Sequence, residues 1–198
     1  DMTTQMVGKL ANDIVTSLKV ETKQDIMKAP TLNVEAYEYY LEGKYKFVKR
    51  TNIHDVQISK DLLFKAFELD SNLIIAKNFL GWIYLEMDEP EKAKVIFEDA
   101  LIKAKTLNDK LVYSTLTKNL GNYYFRRNNS EKATELYKQA LLIKEEIGDK
   151  NGIAKIYNNL AMIANYSLNP DLAIDYLRQG LKIVNEIDDD YTKIRILF

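Results

Sequence analysis

Residues 120–140 read LGNYYFRRNNSEKATELYKQA, and the same register returns 40 positions before and after them. Residues 80–100 read LGWIYLEMDEPEKAKVIFEDA, and residues 160–180 read LAMIANYSLNPDLAIDYLRQG. Leu80-Gly81, Leu120-Gly121 and Leu160-Ala161 align, as do Tyr84, Tyr124 and Ala164, and Ala93, Ala133 and Ala173. Phe97, Tyr137 and Leu177 keep step, followed by Ala100, Ala140 and Gly180. Pro90, Ser130 and Pro170 mark one boundary of the pattern, and Asp109, Asp149 and Asp189 mark another. A fixed period of this length is the signature of stacked supersecondary units, each too small to bury its own apolar face. The residue types fit two helices crossing closely. Small residues (Gly81, Ala93, Ala100 and their mates) admit the approach, and Leu80, Tyr84 and Phe97 fill the space beside it. Pro is tolerated at a first helical position, and Asn169 before Pro170 supplies a cap.

A divergent copy precedes these three. Ser59, Leu63 and Ala66 lie 34 residues before Ala93, Phe97 and Ala100, with Gly43 as the close-crossing glycine. Gly43 to Ser59 spans 16 residues where Gly81 to Ala93 spans 12, which predicts a four-residue insertion as a loop around Arg50 to Asp55. The register predicts helix pairs at 33–50 and 56–69, 72–87 and 90–106, 110–127 and 130–147, and 151–167 and 170–187. A final helix starts near 190 and is cut short at the apolar run Lys193–Phe198. Met6, Leu10, Ile14 and Leu18 space out an amphipathic helix over 3–20, and Lys28-Ala-Pro30-Thr31 reads as a linker. The domain division is therefore 1–30, a leading helix and linker, and 31–198, an array of four hairpins with a truncated fifth. A chain that opens on Asp1 reads as a fragment or a processed chain.

Composition narrows the function. With 28 basic and 29 acidic residues the net charge is −1, which argues against a nucleic-acid partner. The chain has no cysteine, so disulfides, thiol chemistry and Cys-ligated zinc are excluded. Seven Gly and three Pro in 198 residues favour helices. No apolar stretch is long enough to cross a membrane, and no export signal is visible, so a cytoplasmic location is expected. His54 is the single histidine, placed in the predicted insertion loop, and no metal site can be assembled around it. Without a Ser-His-Asp set, a Gly-rich phosphate loop or a His-Glu-x-x-His motif, we expect neither catalysis nor a cofactor or metal in this segment. The paired carboxylates at helix ends read as solvated charge.

The pattern of Leu-Gly, an aromatic three residues on, then Ala, aromatic and Ala on the next helix resembles the tetratricopeptide repeat, in a long variant of about 40 residues. Lys77 and Thr117, where a large apolar residue is usual, and Ala161 in place of Gly depart from it. The resemblance implies an all-α, right-handed α-α superhelix whose first helices line an inner groove. It implies a non-catalytic module that binds a protein or an extended peptide. Carried onto this sequence, the groove residues are Asn78, Trp82, Lys118, Asn119, Asn122, Arg126, Lys155, Asn158, Asn159 and Arg195. Their Asn-rich, basic lining suits a net-acidic ligand, because an Asn amide both donates and accepts. Lys118, Asn122, Asn159 and Arg195 occupy positions that resemble the carboxylate clamp of chaperone-tail-binding members of the family. The order of leading helix, linker and NVEAYEYYLEGKY (33–45) resembles the junction after a TolB-like domain in bacterial adenylate or guanylate cyclases and transcriptional regulators. Three settings follow: the scaffolding part of a bacterial signalling protein, the regulatory end of a cyclase whose catalytic domain lies upstream, or a peptide-sensing regulator. The apolar end Ile194, Ile196, Leu197 and Phe198 also predicts a homodimer contact through the truncated helix.

Overall fold

The structure, a computed structural model, describes residues 31–187. Among them are eight helices: α1 (Val34–Val48), α2 (Ile53–Leu69), α3 (Ile74–Glu86), α4 (Pro90–Thr106), α5 (Lys110–Arg126), α6 (Ser130–Glu146), α7 (Lys150–Tyr166) and α8 (Pro170–Asn185). The expected four pairs are present, as antiparallel neighbours in an all-α repeat. The leading helix over 3–20, the final helix from 190, Arg195 and the dimer contact through Ile194–Phe198 lie outside the described residues.

The chain forms two compact units, the first ending at Lys103 and the second beginning at Ala104. In the first, α1 packs on α2 and α2 on α3 around Tyr37, Tyr40, Phe47, Leu63, Leu73, Leu80 and Ile83, all buried. The close crossings are visible at the glycines. A Cβ on Gly81 would sit 2.2 Å from the Phe97 ring, and one on Gly43 would sit 2.8 Å from Leu63 Cγ. Ser59 donates to the Gly43 carbonyl across its crossing at 2.7 Å. Thr31, expected in the linker, belongs to the first hairpin: its hydroxyl donates to Asp70 and accepts from the Asn33 N–H. Lys77 is accommodated at a usually apolar position because its ammonium lies 4.3 Å from the Phe67 ring centre and pairs with Asp99.

The insertion in the first hairpin is helix rather than loop. The turn 49–52 is one residue longer than the later three-residue turns, and the other three residues extend the start of α2. Asn52 Oδ1 accepts from the Asp55 N–H at 3.1 Å, and Asp55 Oδ2 accepts from the Thr51 N–H at 2.9 Å. This reciprocal cap satisfies donors that a helix start leaves open, so α2 begins early. His54 accordingly stands exposed in the first turn of α2, not in a loop.

In the second unit each helix of α5, α6 and α7 runs for 17 residues and three-residue turns separate them. Asp109, Asn129, Asp149 and Asn169 each cap the next helix by accepting from the N–H three residues on. The residues before the caps, Asn108, Asn128, Gly148 and Leu168, all take positive φ. That geometry lets the following N–H reach back to the helix before it, as Asn129 does to the Tyr124 carbonyl and Asp149 to that of Lys144. Ala133, Tyr137 and Ala140 of α6 pack with Ile156, Leu160 and Ile163 of α7, and Ala154 packs with Val184 of α8. Gly121 is required by the Tyr137 ring, which a Cβ there would meet at 2.7 Å. Thr117, buried at 2% exposure, satisfies its hydroxyl by donating to the Tyr113 carbonyl.

Candidate functional site

The core takes one stripe of each first helix: Leu116, Leu120 and Tyr123 on α5, and Ile153, Ile156, Leu160 and Ile163 on α7. The 3.6-residue period turns another set outward. On α5 these are Lys118, Asn122, Phe125 and Arg126; on α7 they are Lys155, Asn158, Asn159, Met162 and Tyr166. Helices α5 and α7 touch, so the two rows form one face.

Side chains pair across that face. Asn159 Nδ2 donates to Asn122 Oδ1 at 3.1 Å, and the same oxygen accepts from the Tyr137 hydroxyl at 2.6 Å. The Asn122 carbonyl oxygen is thus committed, which leaves its NH2 group as the donor free for other use. Burial raises the Tyr137 hydroxyl pKa well above its usual range, so it stays a donor. One turn further along, Phe125 and Tyr166 meet edge to face with ring centres 5.9 Å apart, and Tyr166 donates to Asn128 Oδ1 at 3.3 Å. Met162 is 52% exposed and Tyr166 is 62% exposed, which puts an apolar surface at this end.

The other end is cationic. Lys118 of α5 is partly buried and lies within the field of Lys155 of α7 and Lys144 of α6. Burial pushes the Lys118 ammonium down to about 8, the two neighbouring lysines push it the same way, and Asp149 opposes them. Lys144 is 3% exposed. It donates to Thr115 Oγ1 at 2.9 Å and to Asp149 Oδ2 at 2.7 Å. Burial alone would raise the Asp149 carboxyl. Hydrogen bonds from Lys144 and from the Gly152 N–H, with the charges of Lys144 and Lys155, outweigh it and hold Asp149 below the usual carboxylate range.

Of the residues expected from sequence, Lys118, Asn122, Lys155, Asn158 and Asn159 share this face, partly buried, and Arg126 is exposed at its edge. Asn119 is enclosed at 1% exposure and does not reach the surface. Asn78 and Trp82 are half-buried on α3 of the first unit, where Trp82 packs on the core. Tyr137, Lys144 and Asp149 were absent from the expected set. The signal for Lys144 lies in the repeat: positions 104, 144 and 184 are Ala, Lys and Val. Ala104 and Val184 are both fully buried, so the register alone marks a charge in an apolar place.

Family models described as tetratricopeptide repeat match residues 111–186 and 75–101. No curated protein is detectably related in sequence. Among solved structures, the chain is similar to aspartyl phosphate phosphatase F from Bacillus subtilis (16% identity, TM-score 0.72), covering 93% of this chain and 48% of that one. It is similar to the apo form of RapI (17% identity, TM-score 0.68), covering 96% of this chain and 66% of that one. MamA gives 22% identity and a TM-score of 0.55 over 90% of this chain and 92% of that one. The first two structures are much longer than this chain, which spans about half of the phosphatase and two thirds of RapI. At these identities the likeness is one of fold.

Proposed function

Because the chain belongs to the tetratricopeptide-repeat family, whose fold serves protein interaction, we propose that the α5/α7 face is a groove for an extended, net-acidic peptide segment. The observation that carries this reading is the graded set of pairs across the two helices: lysines at one end, Asn122 and Asn159 in the middle, Phe125 and Tyr166 at the other. The middle presents amide groups to a peptide backbone, which fixes an extended chain without demanding a sequence. The ends select side chains. Lys118 and Phe125 are seven residues apart on one helix, so the acidic and apolar groups of the ligand lie on the order of 10 Å apart, or about three residues of extended chain. The segment binds and does not catalyse. Its setting in a larger bacterial signalling protein, with the groove read in cis or in trans, is supported by the resemblance at residues 33–45.

The test is a peptide array of extended eight- to ten-residue segments, read by fluorescence anisotropy against the protein and against Lys118→Glu. We expect the wild type to select an acidic residue spaced from an apolar one, and the variant to reverse the charge preference while keeping the apolar one. Identical selections by both proteins would exclude the groove.

A further inference from the structure

Helix α8 is apolar over a wider arc than its neighbour covers. Among the described residues it packs on α7 alone, through the buried stripe of Ala173, Gly180 and Val184. A second stripe runs beside it. Ile174, Leu177 and Leu181 have the spacing of a coiled-coil seam and stand 46%, 50% and 42% exposed. They line a shallow cleft against Ala154 of α7. On α6 the same stripe is covered, with Tyr137 and Leu141 packed into the core that α7 completes. Charged residues flank the bare stripe on its side away from α7, because the helical period places them there. Asp171, Asp175, Arg178 and Lys182 are all exposed, at intervals of four, three and four residues. Two acidic residues thus occupy the first half of the flank and two basic residues the second. Among the described residues none of the four forms an ion pair, and Asp175 Oδ2 accepts from Gln179 of the same helix at 2.8 Å. The order is a poor one for a helix standing alone, since Asp171 and Asp175, and Arg178 and Lys182, are like charges four residues apart. The helix dipole favours Asp171 in the first turn and Lys182 in the last, but its reach ends there and does not account for Asp175 or Arg178. The corresponding flank of α6 is Glu131, Glu135, Lys138 and Leu142, and that of α4 carries neither basic residue. The full set occurs on the helix whose stripe is bare.

We propose that this face of α8 is a self-association surface, and that its partner is α8 of a second copy of the chain, laid antiparallel about a two-fold axis at Leu177. Reversing the helix direction turns the order acidic, acidic, basic, basic into its own complement. Asp171 then faces the partner's Lys182, and Asp175 faces the partner's Arg178. Ile174 packs on the partner's Leu181, and Leu177 on the partner's Leu177. All these pairs are centred within one residue of Leu177, so one arrangement satisfies the charges and the apolar seam together. A parallel pair would set acid against acid and base against base, which the charges forbid. One patch serves both copies, as an isologous two-fold contact requires. With 16 residues α8 is about 24 Å long, so the contact is small and belongs to the weak, reversible class. It does not depend on the reading of the α5/α7 face.

Sedimentation equilibrium of the chain tests it, from about 1 μM to about 1 mM, a range that brackets weak contacts of this size. We expect a reversible monomer–dimer equilibrium. Leu177→Asp, which sets like charges against each other at the centre of the seam, should weaken it by about tenfold or more. Two charge-reversed variants sharpen the test: Asp171→Lys with Asp175→Lys, and Arg178→Glu with Lys182→Glu. Each flank then carries a single sign, so each variant alone should stay monomeric, with circular dichroism showing that its helices are kept. An equimolar mixture of the two should associate at least as tightly as the wild type. A wild type that stays monomeric up to about 1 mM overturns the proposal, and a loss of stability in Leu177→Asp would then show that the stripe is covered within a single chain. A dimer unchanged in all three variants places the contact on another surface and overturns it as well. Loss of the dimer in both charge-reversed variants without rescue in their mixture overturns the antiparallel pairing.

Discussion

The two hairpins of the second unit follow one register and end in opposite states. In α5/α6 the ring of Tyr137 is buried at 1% exposure and requires Gly121 opposite it. In α7/α8 the register mates are Leu177, half exposed at 50%, and Ala161. Lys118 and Lys144 on the first hairpin stand where Asn158 and Val184 stand on the second. The second hairpin carries a shallow cleft of about 310 Å³ lined by Ala154, Asn158, Ile174, Leu177 and Leu181, where the first carries a charged cluster. Small and large apolar residues at fixed places are enough to make either hairpin. The charged residues vary between them without altering the helices, which identifies them as additions to the fold rather than parts of it.

The largest effect should come from Asp149, which does two jobs where its register mate Asp109 does one. Both cap a helix, but Asp149 also neutralises the buried Lys144. Asp149→Ala should cost about 3 kcal/mol, since a buried charge loses its partner, and Asp109→Ala about 1 kcal/mol, since only a cap is lost. Urea unfolding of the two variants measures the difference. Equal losses would mean that the Lys144 pair contributes nothing, and adding Lys144→Met to Asp149→Ala should recover most of the excess.

A smaller effect tests the crossing. Gly121→Ala puts a methyl group 2.7 Å from the Tyr137 ring and should cost about 2 kcal/mol by overpacking. Tyr137→Leu imports the arrangement of the second hairpin, where Ala161 is register mate to Gly121 and Leu177 to Tyr137. In the double variant the two changes should offset each other, with a coupling of about 1 kcal/mol or more. Additive losses would show that the ring does not determine the glycine.

The repeat made the fold readable. Leu80-Gly81 and its mates located every crossing, and Pro90, Ser130 and Pro170 located helix starts to the residue. The start of α2 was not readable in the same way, because Asn52, Asp55 and Thr51 form a local cap that no other repeat carries. The α5/α7 face was readable in part. The family resemblance assigned Lys118, Asn122, Lys155 and Asn159 to one face, and the helical period turns them there. It placed Asn119 there too, and did not foresee that packing encloses that side chain. Nor did it reveal that Asn122 has its carbonyl oxygen bonded to Tyr137, because that contact joins helices and depends on how deep the ring sits. The consequence is practical: Asn122→Ala strips an acceptor from a buried hydroxyl and so disturbs stability as well as binding, which makes Lys118 the cleaner probe.

Lys118 also gives the most direct test of the account, through the ε-carbon shift of that lysine followed by NMR against pH in the free protein. Burial first, and the charges of Lys155 and Lys144 after it, push the Lys118 ammonium down to about 8 from the ordinary 10.5. Folding therefore weakens proton binding at this site. The cost of the charged form is fully present below pH 8 and is relieved as pH rises from 8 towards 10.5, so the stability contribution of Lys118 increases across that window. A midpoint near 8 that moves up in Lys155→Gln is the expected result. A midpoint at 10.5, unmoved by that substitution, would contradict a cationic site built onto the apolar register.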